Sequence, residues 1–247
     1  MTKNYSLPVL MYHRIVQKRK DAGKHKIFVY EKNFIKQLEY LHKNGYQTIT
    51  FQDIYDKKIT DFNKKIILTF DDGYQDNYYL AFPLLKKYNF TAVIYLVTKE
   101  KENVWGIKEG EPRIPMMNKE MIAEMLDYGI EFGSHTQHHL AVNEIPLEKA
   151  QKEITESKKD VEEITGKQCV SFAYPFGGIN EKVKQLVKQA GYSYAVSTNT
   201  GPDEFLSDPF QIKRIDIGPR TNIFSFKNKT SGYYFKKKNI FTLFSSH

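Results

Sequence analysis

Lys65-Ile66-Ile67-Leu68-Thr69-Phe70-Asp71-Asp72-Gly73 is the stretch that decides the fold. A mainly apolar run after a lysine reads as a strand buried on both faces, as in a parallel sheet covered by helices. The run stops on two adjacent carboxylates and a glycine. Neighbouring side chains at a strand end point in different directions, so Asp71 and Asp72 are free to do different jobs. Gly73 lets the chain turn sharply and brings the backbone close to whatever those carboxylates hold. In parallel α/β folds the carboxyl ends of the strands form the ligand face. A helix N-cap is the bland alternative, but one Asp suffices for a cap. Two in succession after a hydrophobic strand point to chemistry.

Outward from that stretch, strand-like and helix-like segments alternate. Pro8–Tyr12 reads as a strand ending at His13, and the polar residues from Gln17 to Lys26 as a loop. Phe34, Leu38 and Leu41 fall at helical spacing. Tyr46–Thr50 alternates as a strand and Phe51–Tyr55 starts a short helix. After the aspartates a helix is expected to about Tyr88, with Pro83 inside it, and then the β-branched strand Thr91–Val97. Lys99 to Met117, with Gly106, Gly110, Pro112, Pro115 and the only tryptophan, Trp105, reads as a long loop where functional groups gather. Asn118 caps a helix to Tyr128, and Gly129 follows it. Strands at Ile130–Ser134, Val170–Tyr174, Tyr192–Ser197 and Gln211–Ile217 alternate with helices at Pro146–Ile164 and Asn180–Ala190. The alternation means βαβ units: an α/β fold with seven or eight mostly parallel strands closing into a distorted (β/α) barrel. The tail beyond Asn222 is aromatic and lysine-rich and receives no assignment.

At 247 residues the chain is long enough for one barrel, so residues 1–247 are read as a single domain. No stretch is apolar enough to span a bilayer, and the first residues lack the long apolar segment of a signal peptide. That start fits a cytoplasmic protein or one whose leader has been removed. The only cysteine, Cys169, is expected to be a small buried hydrophobe. A net charge of +8 favours anionic surroundings, but the lysines, including Lys236-Lys237-Lys238, are spread out and no nucleic-acid motif accompanies them.

His135-Thr136-Gln137-His138-His139 is the second informative stretch. Histidines four residues apart place two imidazoles on one side of a turn, near enough to share a metal. With a carboxylate they make the two-His-one-carboxylate set of catalytic zinc sites, which leave a position open for water. A lone histidine is more often structural; three directly after a strand are not.

Thr69-Phe70-Asp71-Asp72-Gly73, His135-Thr136-x-x-His139 and Tyr174-Pro175-Phe176-Gly177 resemble the first three motifs of the polysaccharide deacetylases, carbohydrate esterase family 4, with the NodB homology domain. The resemblance covers roughly Leu7 to Ile217. It implies that Asp71 is the catalytic base, that Asp72, His135 and His139 hold zinc (or another divalent metal such as cobalt or nickel), and that His138 is only a neighbour. It also implies that the backbone N–H of Phe176, beside Tyr174, is the oxyanion donor. Most members carry an arginine, paired with the base, where this chain has Ala173; Arg214 is the candidate to replace it. No Leu-x-x-His follows Arg214, whereas Leu10-Met11-Tyr12-His13 fits that pattern at the other end. This resembles the circularly permuted branch that includes the poly-N-acetylglucosamine deacetylases of biofilm matrices. His13 is then the general acid, facing the metal from the side opposite Asp71, and Leu10 part of the acetyl pocket. A capping or core histidine is the alternative for His13.

The implied activity is metal-dependent removal of N-acetyl groups from an N-acetylglucosamine polymer, whether poly-N-acetylglucosamine, peptidoglycan or chitin. Trp105, Tyr74 and Phe176 are candidates to stack on sugar rings. The expected partner is that polysaccharide, with no nucleic acid; the protein is expected to be a monomer, extracellular or cell-surface by resemblance. Two rival readings are an amidase of the same fold for a small non-sugar amide, and a non-catalytic carbohydrate-binding relic. The intact Asp-Asp and His-x-x-x-His sets speak against the relic, because binding alone needs no base beside a metal.

Overall fold

A computed structural model of the protein describes residues 7–202, 204–231 and 234. Met1–Ser6, Lys236-Lys237-Lys238 and the outer limits of a single domain over 1–247 lie outside them.

The chain opens with β1 (Val9–Tyr12), β2 (Arg14–Val16) and β3 (Phe28–Tyr30), then α1 (Glu31–Lys43), β4 (Gln47–Thr48) and α2 (Phe51–Tyr55). The central strand β5 (Lys65–Phe70) leads through a widened π-type turn at Asn77–Ala81 into α3 (Phe82–Lys87). β6 (Val93–Leu96), α4 (Val104–Lys108), α5 (Lys119–Tyr128), β7 (Glu131–Ser134) and α6 (Leu147–Thr165) follow. The order ends with β8 (Ser171–Ala173), α7 (Glu181–Gln189), β9 (Tyr194–Val196), β10 (Ile215–Asp216) and α8 (Ile223–Lys229). The Asn118 side chain accepts from Met121 N to start α5, and Gly129 closes it at φ 107°.

All named strands pair in parallel, in the order β10-β1-β5-β6-β7-β8-β9, with β4 on the first part of β5. A parallel bridge from Val196 to Ile212 brings the approach to β10 against β9, so the sheet curls into the expected distorted barrel. β2 and β3 form a separate parallel pair on either side of the polar Gln17–Lys26 segment expected to be a loop. No helix among the described residues is long and apolar enough to cross a membrane.

Side-chain parity builds two cores. Leu10, Tyr12, Ile66, Leu68, Phe70, Ile94 and Phe172 point outward and pack under the helices. Val9, Ile67, Val93, Tyr95, Ala173, Val196 and Ile212 have the opposite parity and fill the barrel. The odd-numbered positions of β1 and β5 therefore face inward, and His13 and Asp71 continue those rows.

Two expected elements are corrected. The helix expected to run unbroken to Tyr88 is a wide turn followed by α3, with Pro83 in the first turn of α3, where a missing N–H is no loss. The strand expected over Gln211–Ile217 is regular only at Ile215–Asp216, because this segment has to leave β9 and reach β1 within a few residues. Arg214 therefore sits just before the last strand rather than in it. The unassigned stretch after Asn222 begins as helix α8, capped by the Asn222 side chain on Ser225 N. Cys169 is buried, as expected.

Gly133 on β7 pairs with Tyr95 on β6. A Cβ at this glycine would sit 2.5 Å from the Tyr95 ring and 2.8 Å from Ser171 Oγ. The bare backbone makes room for a tyrosine that fills the barrel directly beneath Arg214, whose guanidinium carbon lies 5.7 Å from the ring centre. Gly133→Ala is expected to cost about 1–3 kcal/mol by overpacking, read from urea denaturation. An unchanged midpoint and slope would show that the barrel is looser than this contact implies.

Candidate active site

Asp71 follows β5 with inward parity, and Arg214 meets it inside the barrel. Arg214 Nη1 donates to Asp71 Oδ1 at 2.6 Å and Nη2 to Oδ2 at 2.7 Å, a bidentate pair with the arginine fully buried. The remaining donors are also used: Nη1 reaches Thr69 Oγ1 at 3.1 Å and Nε the Ser197 carbonyl at 2.9 Å. Burial alone would raise the Asp71 pKa, but the charge and hydrogen bonds of Arg214 outweigh it and hold the carboxyl below the usual range.

Asp72 has the other parity, yet a left-handed backbone (φ 75°) swings it to the same side as His135 and His139. Its Oδ1 lies 3.4 Å from His135 Nε2 and 3.2 Å from His139 Nε2, and all three residues are buried. A tetrahedral ion with ligands at about 2.0–2.1 Å needs them about 3.3 Å apart, and both distances from Asp72 fit. His135 Nδ1 donates to the Ala173 carbonyl at 2.7 Å, which leaves the Nε2 lone pair aimed at Asp72. Burial pushes the His135 pKa down to about 4, so the ring is neutral and ready to ligate. Asp72 Oδ1 is buried without a hydrogen-bond partner. A carboxylate oxygen orphaned between two imidazole nitrogens matches the needs of a divalent cation.

Three strand ends at this site, those of β5, β7 and β8, carry backbone strain. Asp72, Thr136, His139 and Phe176 all have positive φ, at 75°, 67°, 54° and 57°. Thr136 is β-branched, for which this region is a genuine outlier.

His13 lines the same cavity, with Nε2 3.8 Å from Asp71 Oδ2, so it stands beside Asp71 rather than facing the site from the opposite side. Its carbonyl accepts from Asn77 Nδ2 at 2.7 Å. Next to it, Arg14 Nε pairs with Asp76 Oδ2 at 2.9 Å, and Asp76 Oδ1 accepts from Ile15 N at 3.1 Å. The sequence reading missed Arg14, Asp76 and Asn77, although two of them follow the Asp-Asp-Gly turn within four residues. His138 turns away to Glu153, with Nδ1 2.8 Å from Oε1.

A cavity of about 290 Å³ contains Asp71, Asp72, His13, His135 and His139, with Tyr174 and Phe176 in its wall. Phe176 is exposed, while the Tyr174 hydroxyl is tied to the Phe210 carbonyl at 2.9 Å. Leu10 does not belong to this wall. Its parity points it into the core under the helices, and Met11 lines the cavity in its place. Tyr74 is buried against Ile114 and Met116 and has no free face for a sugar. Trp105 reaches the cavity but is stacked on His139, with ring centres 4.1 Å apart and planes at 26°. A second, wider cleft of about 710 Å³ adjoins the first and shares Trp105, Glu109 and His139 with it.

A sequence profile of the polysaccharide deacetylase family matches residues 58–195. YxkH of Bacillus subtilis strain 168, named for that family, is 32% identical over 222 residues, which cover 88% of this chain and 73% of YxkH. The poly-β-1,6-N-acetyl-D-glucosamine N-deacetylase of Staphylococcus aureus is 28% identical over 200 residues, covering 76% of this chain and 67% of that protein. Among solved structures, a polysaccharide deacetylase from Bacillus cereus matches with a TM-score of 0.77 at 31% identity, over 91% of this chain and 69% of that one. The deacetylase PplD of Streptococcus pyogenes, solved in complex with acetate, matches with a TM-score of 0.79 over 91% and 98% of the two chains. Its 24% identity makes that likeness one of fold.

The buried pair yields a stability prediction. Arg214→Met leaves the Asp71 charge uncompensated and is expected to lower stability by about 3–5 kcal/mol. Adding Asp71→Asn to Arg214→Met is expected to restore part of the loss, because no unpaired charge then remains buried. Urea denaturation of the two variants checks this, and a double variant weaker than the single one would contradict the pairing.

Proposed function

This chain belongs to the polysaccharide deacetylase family, and on that premise we propose that it hydrolyses N-acetyl groups from an N-acetylglucosamine polymer in a metal-dependent reaction. The observation that carries this reading is the sorting of two adjacent carboxylates. Asp71 has both oxygens on Arg214, whereas Asp72 presents an unpartnered Oδ1 between two imidazole nitrogens.

A zinc ion on Asp72, His135 and His139, or cobalt or nickel in its place, would polarise the amide carbonyl and acidify a bound water. Asp71 takes the proton from the attacking water. Arg214 occupies one lone pair on each of its oxygens and leaves the others free to accept. The backbone N–H of Phe176 donates to the oxyanion that develops on the carbonyl. As the C–N bond breaks, His13 Nε2 gives a proton to the departing amine. The products are acetate and a glucosamine unit.

The wide cleft beside the cavity supports a chain of sugars as substrate rather than a small amide. The Staphylococcus aureus relative is a poly-β-1,6-N-acetyl-D-glucosamine deacetylase, so that polymer heads the test panel, followed by peptidoglycan and chitin oligomers. A polymeric substrate of this kind places the protein outside the cell or at its surface.

Acetate release from that panel, with and without chelator, tests the reading. Chelation is expected to abolish release and added zinc to restore it. Asp71→Asn is expected to keep the metal and lose roughly 10²–10⁴ in turnover, and His13→Ala to do the same on amides but less on an activated aryl ester. Asp72→Asn is expected to lose metal. Equal metal loss in the Asp71 and Asp72 variants would erase the division of labour.

A further inference from the structure

We propose that Trp105 is a positioning residue for the metal ligand His139, doing by ring stacking what a hydrogen bond does for His135. The proposal rests on the metal site proposed above. The two histidines are held by different means. His135 has its Nδ1 fixed on the Ala173 carbonyl. His139 has a buried Nδ1 with no hydrogen-bond partner, and a backbone at φ 54° that does not by itself settle where the ring points. Rings constrain it instead. The Trp105 indole lies over its face at 4.1 Å and 26°, and Phe176 meets it edge to face at 4.5 Å and 66°.

The indole is held in place. Trp105 lies in α4 and packs beside Tyr74, Ile114 and Met116. The loop behind it closes on the buried side chain of Asn103, which donates to the Pro112 carbonyl at 3.1 Å and accepts from Ile114 N at 2.8 Å. A bridge from Tyr74 to Met116 ties the same loop to the turn after Asp72, and one from Glu102 to Pro115 closes the loop on itself. The stretch that reads as an irregular loop in sequence is thus a braced support for one ring.

Stacking at this place favours the metal-loaded state. A metal on Nε2 draws electron density out of the imidazole, and an electron-poor ring is attracted more strongly to an indole face. The contact therefore strengthens when the site fills and raises metal affinity. Groups that orient a ligand from behind typically contribute 10–100-fold in affinity.

The test is metal binding rather than turnover. Protein stripped of metal by dialysis is titrated with zinc against a chromophoric chelator, as wild type, Trp105→Phe, Trp105→Leu and Trp105→Ala. Trp105→Ala and Trp105→Leu are expected to bind roughly tenfold or more weakly, with Trp105→Phe close to wild type. Leucine fills the space without a π face, so its weakening separates stacking from packing and decides the matter where the alanine variant does not fold. Trp105 is the only tryptophan in the chain, so wild-type emission is expected to change saturably as the site fills. Wild-type affinity in the leucine variant, or emission that ignores the metal, would overturn the proposal. A wild type that takes up no divalent metal would instead bring down the functional reading on which it rests.

Discussion

The buried bidentate pair between Arg214 and Asp71 is the interaction on which the rest depends. Each ion loses several kcal/mol of hydration on burial, and attraction repays this only when the geometry is good and the remaining donors are satisfied. Here they are, through Thr69 Oγ1 and the Ser197 carbonyl. The partners come from the end of β5, the exit of β9 and the approach to β10, so the pair fastens together the strands between which the barrel has to close. It also separates the two carboxylates: Asp71 is held on Arg214, while Asp72 is left beside His135 and His139 in a set that could hold a metal.

Two backbone rules place everything around that pair. The first is alternation: Met11, His13, Asp71, Arg214 and Asp216 share the inward parity of their segments, which gathers one β1–β5–β10 set of side chains at the mouth of the barrel. The second is departure from alternation. Asp72 and His139 reach the site only through left-handed turns, as does the Phe176 peptide. Such conformations cost of order 1–3 kcal/mol each and persist where the surroundings fix them. The Trp105 ring stacked on His139 is one of the contacts made at these residues.

Much of this was legible in the sequence where a local pattern carries the information. The β5 run, the caps at Asn118 and Gly129, and the alternation of strands and helices needed no tertiary knowledge. Asp71, Asp72, His135 and His139 stood out because rare residue types cluster at strand ends. Arg214 was nominated only because Ala173 left a charge to be balanced, and the structure places its guanidinium on Asp71. Other features depend on contacts distant in sequence. Leu10 looked like part of a pocket until the parity of β1 turned it into the core. Trp105 stood out as a candidate sugar platform, but nothing local shows that His139 lies across one of its faces. The segment before β10 alternates like a strand, but it is pulled between two neighbours and pairs regularly for only two residues.

Crystals of the zinc-loaded protein, measured on both sides of the zinc absorption edge, give the most direct test of the central claim. One anomalous peak is expected about 2.0–2.2 Å from Asp72 Oδ1 and from Nε2 of His135 and His139, with Asp71 still paired to Arg214. A peak coordinated by Asp71, or no peak among the three ligands, would contradict it.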